Sequence, residues 1–212
     1  MLELDHLVVA CLDLDDGEAW LRERLGVPRA PGGRHAGWGT HNRLLQLGGG
    51  VYLELIAPDP SQPEPQAPRP FMLDDDALRA RLERRPHLVH WLVRADDIDR
   101  ELRGLGYLPG TVTPMTRGTL RWRITLPTGG HPAGGGLLPS VIQWDVPMTE
   151  RPTARLPEAG VRLAGLAVRG PRAVVERRPK VGAPVPIEWI ESRDDAGLSA
   201  TFETPAGRAT ID

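Results

Sequence analysis

Two histidines, one glutamate and one glutamine occupy matching positions in two similar parts of this sequence. A segment near the N-terminus recurs in the middle of the chain, and His6 of the first copy aligns with His90 of the second. Glu54 and Gln143 fall on later predicted strands of the two copies. If the copies pair with pseudo-twofold symmetry, all four side chains converge in one cleft. Two imidazoles and a carboxylate with open positions suit divalent Fe, Mn, Zn, Co or Ni, and Gln143 adds a neutral oxygen donor.

A structural role remains the alternative for each of these four residues. The aligned segments are residues 4–15 and 88–99, and in both the histidine comes early on an apolar strand. A lone histidine in such a position is often a buried, hydrogen-bonded residue rather than a metal ligand. The metal interpretation depends on two histidines and two acid-or-amide residues being in register together. Glu54 has a second functional interpretation, since a carboxylate that does not bind metal can act as a general base.

The elements that would position these residues follow the order strand, helix, strands. In the first copy Asp15 is predicted to cap a helix that runs to about Leu25. Two further strands are predicted at about 42–47 and 51–57, separated by a glycine turn. Residues 58–70 are rich in proline and predict an extended connector.

The rest of the chain repeats this order with decreasing clarity. The second copy predicts a strand, a helix and two strands at 87–94, 97–104, 119–126 and 139–145. A third, weaker copy predicts a strand, a short helix and three strands at 161–168, 171–178, 185–191, 198–204 and 207–211. The sequence therefore divides into a first module with its connector, a second module and a C-terminal partial extension, at 1–70, 71–150 and 151–212.

Two groups of side chains are candidates for substrate binding beside the cleft. Trp38, His41 and Asn42 lie close together in a glycine-bounded segment, which predicts a substrate-facing loop or strand start. The alternative is a tight turn whose tryptophan covers the core. Arg121 and Arg123 alternate with a tryptophan, so they share one face of a strand and could bind a carboxylate or phosphate. Exposed arginines on the outside of the sheet are the alternative.

The remaining histidines and the cysteine carry weaker signals. His35, His87 and His131 lie in turn-like or glycine-rich contexts and are predicted to be exposed to solvent. Cys11 is predicted to be a small buried residue rather than a nucleophile, since no basic residue adjoins it.

Composition limits the classes of partner and location. The chain has 212 residues, of which 40% are hydrophobic and 25% charged, with a net charge of −2. This balance favours neither nucleic acid nor an anionic membrane. The single cysteine fits a reducing compartment, and no signal-peptide pattern or apolar run of membrane-spanning length occurs. We therefore expect a cytoplasmic protein, monomeric or homodimeric, whose partner is a small molecule.

Several motifs resemble one known family. Leu4–Ala10, Gly37–Asn42 and Tyr52–Pro58 are similar to the glyoxalase-like domain family of the vicinal oxygen chelate superfamily, and Leu120–Arg123 and Leu138–Trp144 fit the same pattern. The resemblance implies an α+β fold in which paired βαβββ modules form an open barrel or cleft. The C-terminal extension would be a partial third module.

The resemblance also implies a site. In this superfamily a divalent metal binds adjacent oxygens of the substrate, and its ligands come from the first and last strands of each module. On this chain those positions are His6, Glu54, His90 and Gln143. The set resembles that of epimerase members, although there the acid and amide are distributed differently. Gln143 cannot accept a proton, which argues against true glyoxalase I activity.

Three functions remain open from the sequence. The first is a metal-dependent isomerase, lyase or dioxygenase acting on a small oxygenated metabolite, with Asn42 and Arg123 orienting the substrate. The second is a metal-free protein that sequesters a small molecule, like the bleomycin-resistance members of the superfamily, with Trp38, Tyr52 and Trp91 lining the cavity. The third is a degenerate site on an interaction module.

Overall fold

A computed structural model describes residues 1–27 and 31–212 of the chain. The first unit consists of β1 (Leu2–Ala10), α1 (Leu14–Leu25), β2 (Gly32–His35), β3 (Thr40–Gln46) and β4 (Tyr52–Pro58). After α2 (Asp76–Leu82), the second unit consists of β5 (His87–Arg94), α3 (Ile98–Leu102), β6 (Thr111–Arg117), β7 (Leu120–Leu126) and β8 (Ser140–Trp144). The C-terminal part contains α4 (Pro152–Arg155), β9 (Arg162–Gly170), α5 (Arg172–Val175), β10 (Val181–Gly182), β11 (Ile187–Glu191), β12 (Gly197–Thr204) and β13 (Gly207–Ile211).

The larger sheet joins the two units through their first strands. Its order is β2-β3-β4-β1-β5-β8-β7-β6, with β1 antiparallel to β5, and β4 and β8 parallel to the first strand of their own unit. The sheet curls into a nearly closed barrel, so its two terminal strands, β2 and β6, approach each other. The predicted α+β class with an open barrel is confirmed.

The two faces of this sheet bury different cores. Strand residues such as Val8, Ile56 and Leu92 pack inside the barrel. The alternating residues, among them Leu7 and Trp91, pack outside it against α1 and the C-terminal sheet.

The C-terminal sheet has the order β11-β9-β12-β13 and covers the outer face of β1 and β5. Trp189 lies against Trp91, with ring centroids 5.9 Å apart, and Phe202 is fully buried in the same core. β10 belongs instead to the larger sheet, where it pairs in parallel with the start of β1, at Leu2 and Glu3. The boundaries of the three predicted sequence divisions stay a prediction.

Helix α1 begins two residues earlier than the predicted cap implies. Asp13, not Asp15, is the N-cap, because its side-chain oxygen accepts hydrogen bonds from the backbone N–H groups of Asp15 at 2.8 Å and Asp16 at 3.1 Å. Gly26 ends the helix with φ 64°, the left-handed conformation in which glycine is preferred. No helix in the described part of the chain is long and apolar enough to cross a membrane.

The proline-rich connector is folded back rather than extended. Arg69 is largely buried, and its guanidinium binds the carbonyl of Gly39 at 3.0 Å, Glu64 at 2.8 Å and Asp74 at 2.6 Å. Asp59 turns the chain by accepting hydrogen bonds from the Ser61 backbone and hydroxyl. The connector therefore packs beside the end of β3, where part of the candidate site begins.

Candidate active site

A bulge in β1 places two adjacent polar residues in the interior. The pairing between β1 and β5 shifts register between Leu4 and His6, so Asp5 is an extra residue and its side chain is buried like that of His6. Asp5 Oδ1 lies 2.6 Å from His6 Nδ1, and Trp144 Nε1 donates to Asp5 Oδ2 at 3.0 Å. Asp5 thus fixes the imidazole and leaves Nε2 of His6 directed away from it. The imidazole also stacks on Tyr52, with ring centroids 4.4 Å apart.

Glu54, on the neighbouring strand β4, faces that free nitrogen. Its Oε2 lies 3.5 Å from His6 Nε2, and its Oε1 accepts a hydrogen bond from Asn42 Nδ2 at 2.6 Å. His35 Nε2 lies 3.9 Å from the same Oε1, and its Nδ1 contacts the Thr40 hydroxyl at 2.9 Å. We call Asp5, His6, His35, Asn42 and Glu54 the polar cluster.

The polar cluster holds an ion pair in the protein interior. Burial alone would lower the pKa of His6, but the hydrogen bonds and charges of Asp5 and Glu54 outweigh it and raise that pKa to about 9. Burial would raise the pKa of Glu54, but His6, His35 and Asn42 together lower it to about 2. Burial lowers the pKa of His35. At neutral pH, the cluster therefore presents an imidazolium beside a carboxylate.

The polar cluster opens into a cleft inside the barrel. The cleft is partly open to solvent. Its other walls are mainly apolar and aromatic, formed by Trp38, Ile56, Phe71, Met115, Trp122, Ile142 and Trp144. A polar group at one side of an otherwise apolar cavity is the usual form of a small-molecule site.

Arg117 brings a positive charge to this cleft from the second unit. It is the last residue of β6, and its Nη1 donates to Asn42 Oδ1 at 2.9 Å across the gap between β6 and the first unit. Neither Arg117 nor His35 was predicted as a site residue, and the expectation that His35 is exposed is wrong. Both lie on short strands interrupted by glycine or proline, where alternation is weak. Their only sequence signal was proximity to the glycine turns.

His90 does not join the polar cluster. Its imidazole is fully buried, with Nδ1 3.0 Å from the carbonyl of Gly136 and Nε2 3.0 Å from the Ser140 hydroxyl. The Ser140 backbone N–H donates to the same Nε2 at 3.2 Å, so Nδ1 carries the proton. Burial lowers the pKa of His90 to about 4, which keeps the ring neutral. Gln143 is also engaged, since its Oε1 accepts from the Ile98 N–H at 2.8 Å.

The predicted metal ligands therefore do not fit a metal together. His6 and Glu54 meet, but the ring nitrogens of His90 and the oxygen of Gln143 already bind other groups of the protein. Within residues 1–27 and 31–212, no group of three or more His, Cys, Asp or Glu side chains is placed to hold a metal ion.

The predicted substrate residues separate into two groups. Asn42 and Trp38 line the cleft, whereas His41, Arg121 and Arg123 are not among its lining residues. Arg123 instead pairs with Asp145 at 3.2 Å, while the tryptophan between the two arginines faces inward.

Of the other predictions about single residues, two are confirmed and one is wrong. His131 is exposed, as expected, whereas His87 is buried, so the expectation that it is solvated is wrong. Cys11 is buried as expected, and burial raises the pKa of its thiol.

Comparison with known proteins identifies the family. The model of the glyoxalase-like domain matches residues 4–180, which is most of the chain. The chain belongs to the glyoxalase-like domain family. The resemblance to this family of the vicinal oxygen chelate superfamily is thereby confirmed.

Several solved structures are similar to this chain at low sequence identity. A hypothetical protein from Staphylococcus aureus is 15% identical, with a TM-score of 0.51 over 80% of this chain and 69% of that one. Methylmalonyl-CoA epimerase from Mycobacterium tuberculosis is 24% identical, with a TM-score of 0.39 over 67% of this chain and 86% of that one. A Streptomyces coelicolor methylmalonyl-CoA epimerase is 20% identical, with a TM-score of 0.43 over 69% of this chain and all of that one. A comparison with curated proteins found no significant match.

Proposed function

We propose that this glyoxalase-like protein is an enzyme that moves a proton within a small oxygenated molecule bound in the barrel cleft. The main support for this proposal is the ion pair of His6 and Glu54, whose side chains are only 3% and 8% exposed. Burying two charges costs free energy that a purely structural role would avoid with apolar residues. Strongly shifted pKa values in a cleft are typical of catalytic groups.

Glu54 is the proposed proton acceptor. Its Oε1 is held by Asn42, whereas among the described residues Oε2 has only the longer contact with His6, so Oε2 is the atom that can take a proton from substrate. A carbon beside a carbonyl would lose its proton to Oε2, and the electron pair of the broken C–H bond would move onto the carbonyl oxygen. That pair would then return to form a new C–H bond with the proton held on Oε2, which restores the carboxylate of Glu54. His6 Nε2–H would donate a hydrogen bond to the carbonyl oxygen. When the Nε2–H of His6 donates to that oxygen instead of to Oε2, Glu54 loses one stabilising contact and becomes a stronger base.

Dependence of this activity on a divalent metal is a separate question and has its own test. His90 and Gln143 would have to give up their hydrogen bonds to become ligands, so the proposed steps use only side chains of the protein. Metal dependence is measured on the protein as purified, after chelator treatment, and after loading with Fe, Mn, Zn, Co or Ni.

Hydrogen exchange into deuterated water tests the reaction. The probes are phenylpyruvate and hydroxyacetone, and the loss of the proton beside the carbonyl is followed by NMR. We expect exchange above the buffer rate, and a decrease of about 10²–10⁴-fold for Glu54→Gln, the range typical of a lost general base. His131→Gln, at an exposed histidine, is the matched control. Equal rates for wild type and Glu54→Gln would overturn Glu54 as the base.

A metal-free binding protein is the second candidate, and the aromatic walls of the cleft favour it. Such a protein would bind the same probes without exchanging their protons, whatever metal is added. The cytoplasmic location and the monomeric or homodimeric state stay predictions.

A further inference from the structure

We propose that Arg117 binds a carboxylate of the ligand, so that the substrate of the proposed site is a small monocarboxylate with an apolar body. This rests on the proposed function for the cleft, which it makes more specific. It adds a residue to the site that neither the sequence motifs nor the family resemblance indicated.

The guanidinium of Arg117 has unused hydrogen-bonding capacity inside the cleft. It makes one side-chain hydrogen bond among the described residues, from Nη1 to Asn42 Oδ1. Within residues 1–27 and 31–212 it has no carboxylate partner in ion-pair range, and it is the one arginine that lines this cleft. An arginine presents five N–H donors and binds a carboxylate through two of them at once.

Gly33 makes room for this arginine. A Cβ atom at Gly33 would lie 2.8 Å from Arg117 Cδ and 3.1 Å from Nη1. The arginine side chain therefore lies directly over the backbone of β2, at the gap between the two terminal strands of the barrel. A larger residue at this position would push the guanidinium away from Asn42.

The position of Arg117 also explains why a carboxylate bound to it would lie close to Glu54 and His6. Asn42 connects Arg117 with Glu54, since its side-chain amide accepts a hydrogen bond from Arg117 at 2.9 Å and donates one to Glu54 at 2.6 Å. A carboxylate on Arg117 would thus place its neighbouring carbons near Glu54 and His6. A single arginine matches a single negative charge, and the aromatic walls match an apolar body.

Ligand titration separates this charge recognition from general binding. The probes are 3-phenylpropanoate and 3-phenylpropanamide, which differ in charge but hardly in shape. Trp38, Trp122 and Trp144 line the cleft, so binding is followed by tryptophan fluorescence. We expect wild type to bind the carboxylate at least about 10-fold more tightly than the amide, as charge-assisted hydrogen bonds do.

Arg117→Met is expected to remove this preference while leaving the affinity for the amide unchanged. Arg103→Met is the matched control, since Arg103 is exposed on another element. Equal affinities for both probes in wild type would overturn the proposal. Loss of both affinities in Arg117→Met, with the loss repeated in Arg117→Lys, would also overturn it, because the arginine would then only hold the cleft together.

If Arg117→Met does not fold, the same titrations with Arg117→Lys test the proposal by themselves. It keeps the charge, and we expect it to retain part of the preference for the carboxylate. No preference in a folded Arg117→Lys would overturn the proposal. These titrations involve no turnover, so absence of proton exchange would contradict the enzyme proposal and leave the carboxylate proposal standing.

Discussion

Replacing His90 by alanine tests whether the second histidine of the repeat is structural. The ring makes hydrogen bonds through both nitrogens and is fully buried. Its removal leaves the Gly136 carbonyl and the Ser140 N–H without partners, and each unsatisfied buried group costs about 1–3 kcal/mol. A cavity of nearly imidazole size adds to this. We therefore expect the free energy of unfolding to fall by about 3–5 kcal/mol, a large fraction of the total for an ordinary domain.

Urea unfolding followed by circular dichroism measures this difference. His131→Ala is the matched control, because His131 is exposed and its removal should change the unfolding midpoint little. His90→Gln should recover part of the loss, since glutamine offers both a donor and an acceptor. The structural role is refuted if His90→Ala unfolds like wild type, and above all if it instead loses about one equivalent of bound divalent metal. In that case the ligand role indicated by the sequence would be correct.

Two further perturbations probe the polar cluster and the position of Arg117. The folded-state pKa of His6 is raised from 6.5 to about 9, so its contribution to stability is complete below pH 6.5 and is lost as the pH rises towards 9. The free energy of unfolding should therefore fall between pH 6 and pH 10 by about 3 kcal/mol more in wild type than in His6→Gln. An equal fall in the two proteins would contradict the raised pKa of His6. Gly33→Ala should weaken binding of 3-phenylpropanoate several-fold with the amide unaffected, because the new methyl group displaces Arg117. Gly106→Ala, with open space around its Cβ position, is the control, and an unchanged affinity in Gly33→Ala would show that the arginine adjusts freely.

The sequence predicts well which residues of β1 face the barrel interior, because period-two alternation is a local property of a strand. His6 does share a face with the interior residue Val8, and Glu54 does face His6 from β4. The bulge at Asp5 is different. It arises from how β1 pairs with β5, which alternation within one strand does not reveal. The carboxylate that fixes His6 was therefore missed although it is the adjacent residue.

The equivalence of the two histidines fails for a similar reason. His90 aligns with His6 in sequence, but its surroundings are set by Gly136, which lies in a loop after β7, and by the start of β8 at Ser140. A repeat conserves the position of a side chain on its strand, whereas its hydrogen-bond partners come from loops that the two copies do not share. The same limit applies to Arg117, whose role depends on the closure of the barrel.

The C-terminal sheet has a consequence for how copies of this chain can associate. The outer face of β1 and β5 is an apolar surface, and Trp189 and Phe202 fill it from within the same chain. In terms of assembly, residues 162–211 occupy the place that a second subunit would take against an uncovered sheet. Any homodimer of the intact chain must therefore form through a different surface, or must first displace its own C-terminal strands.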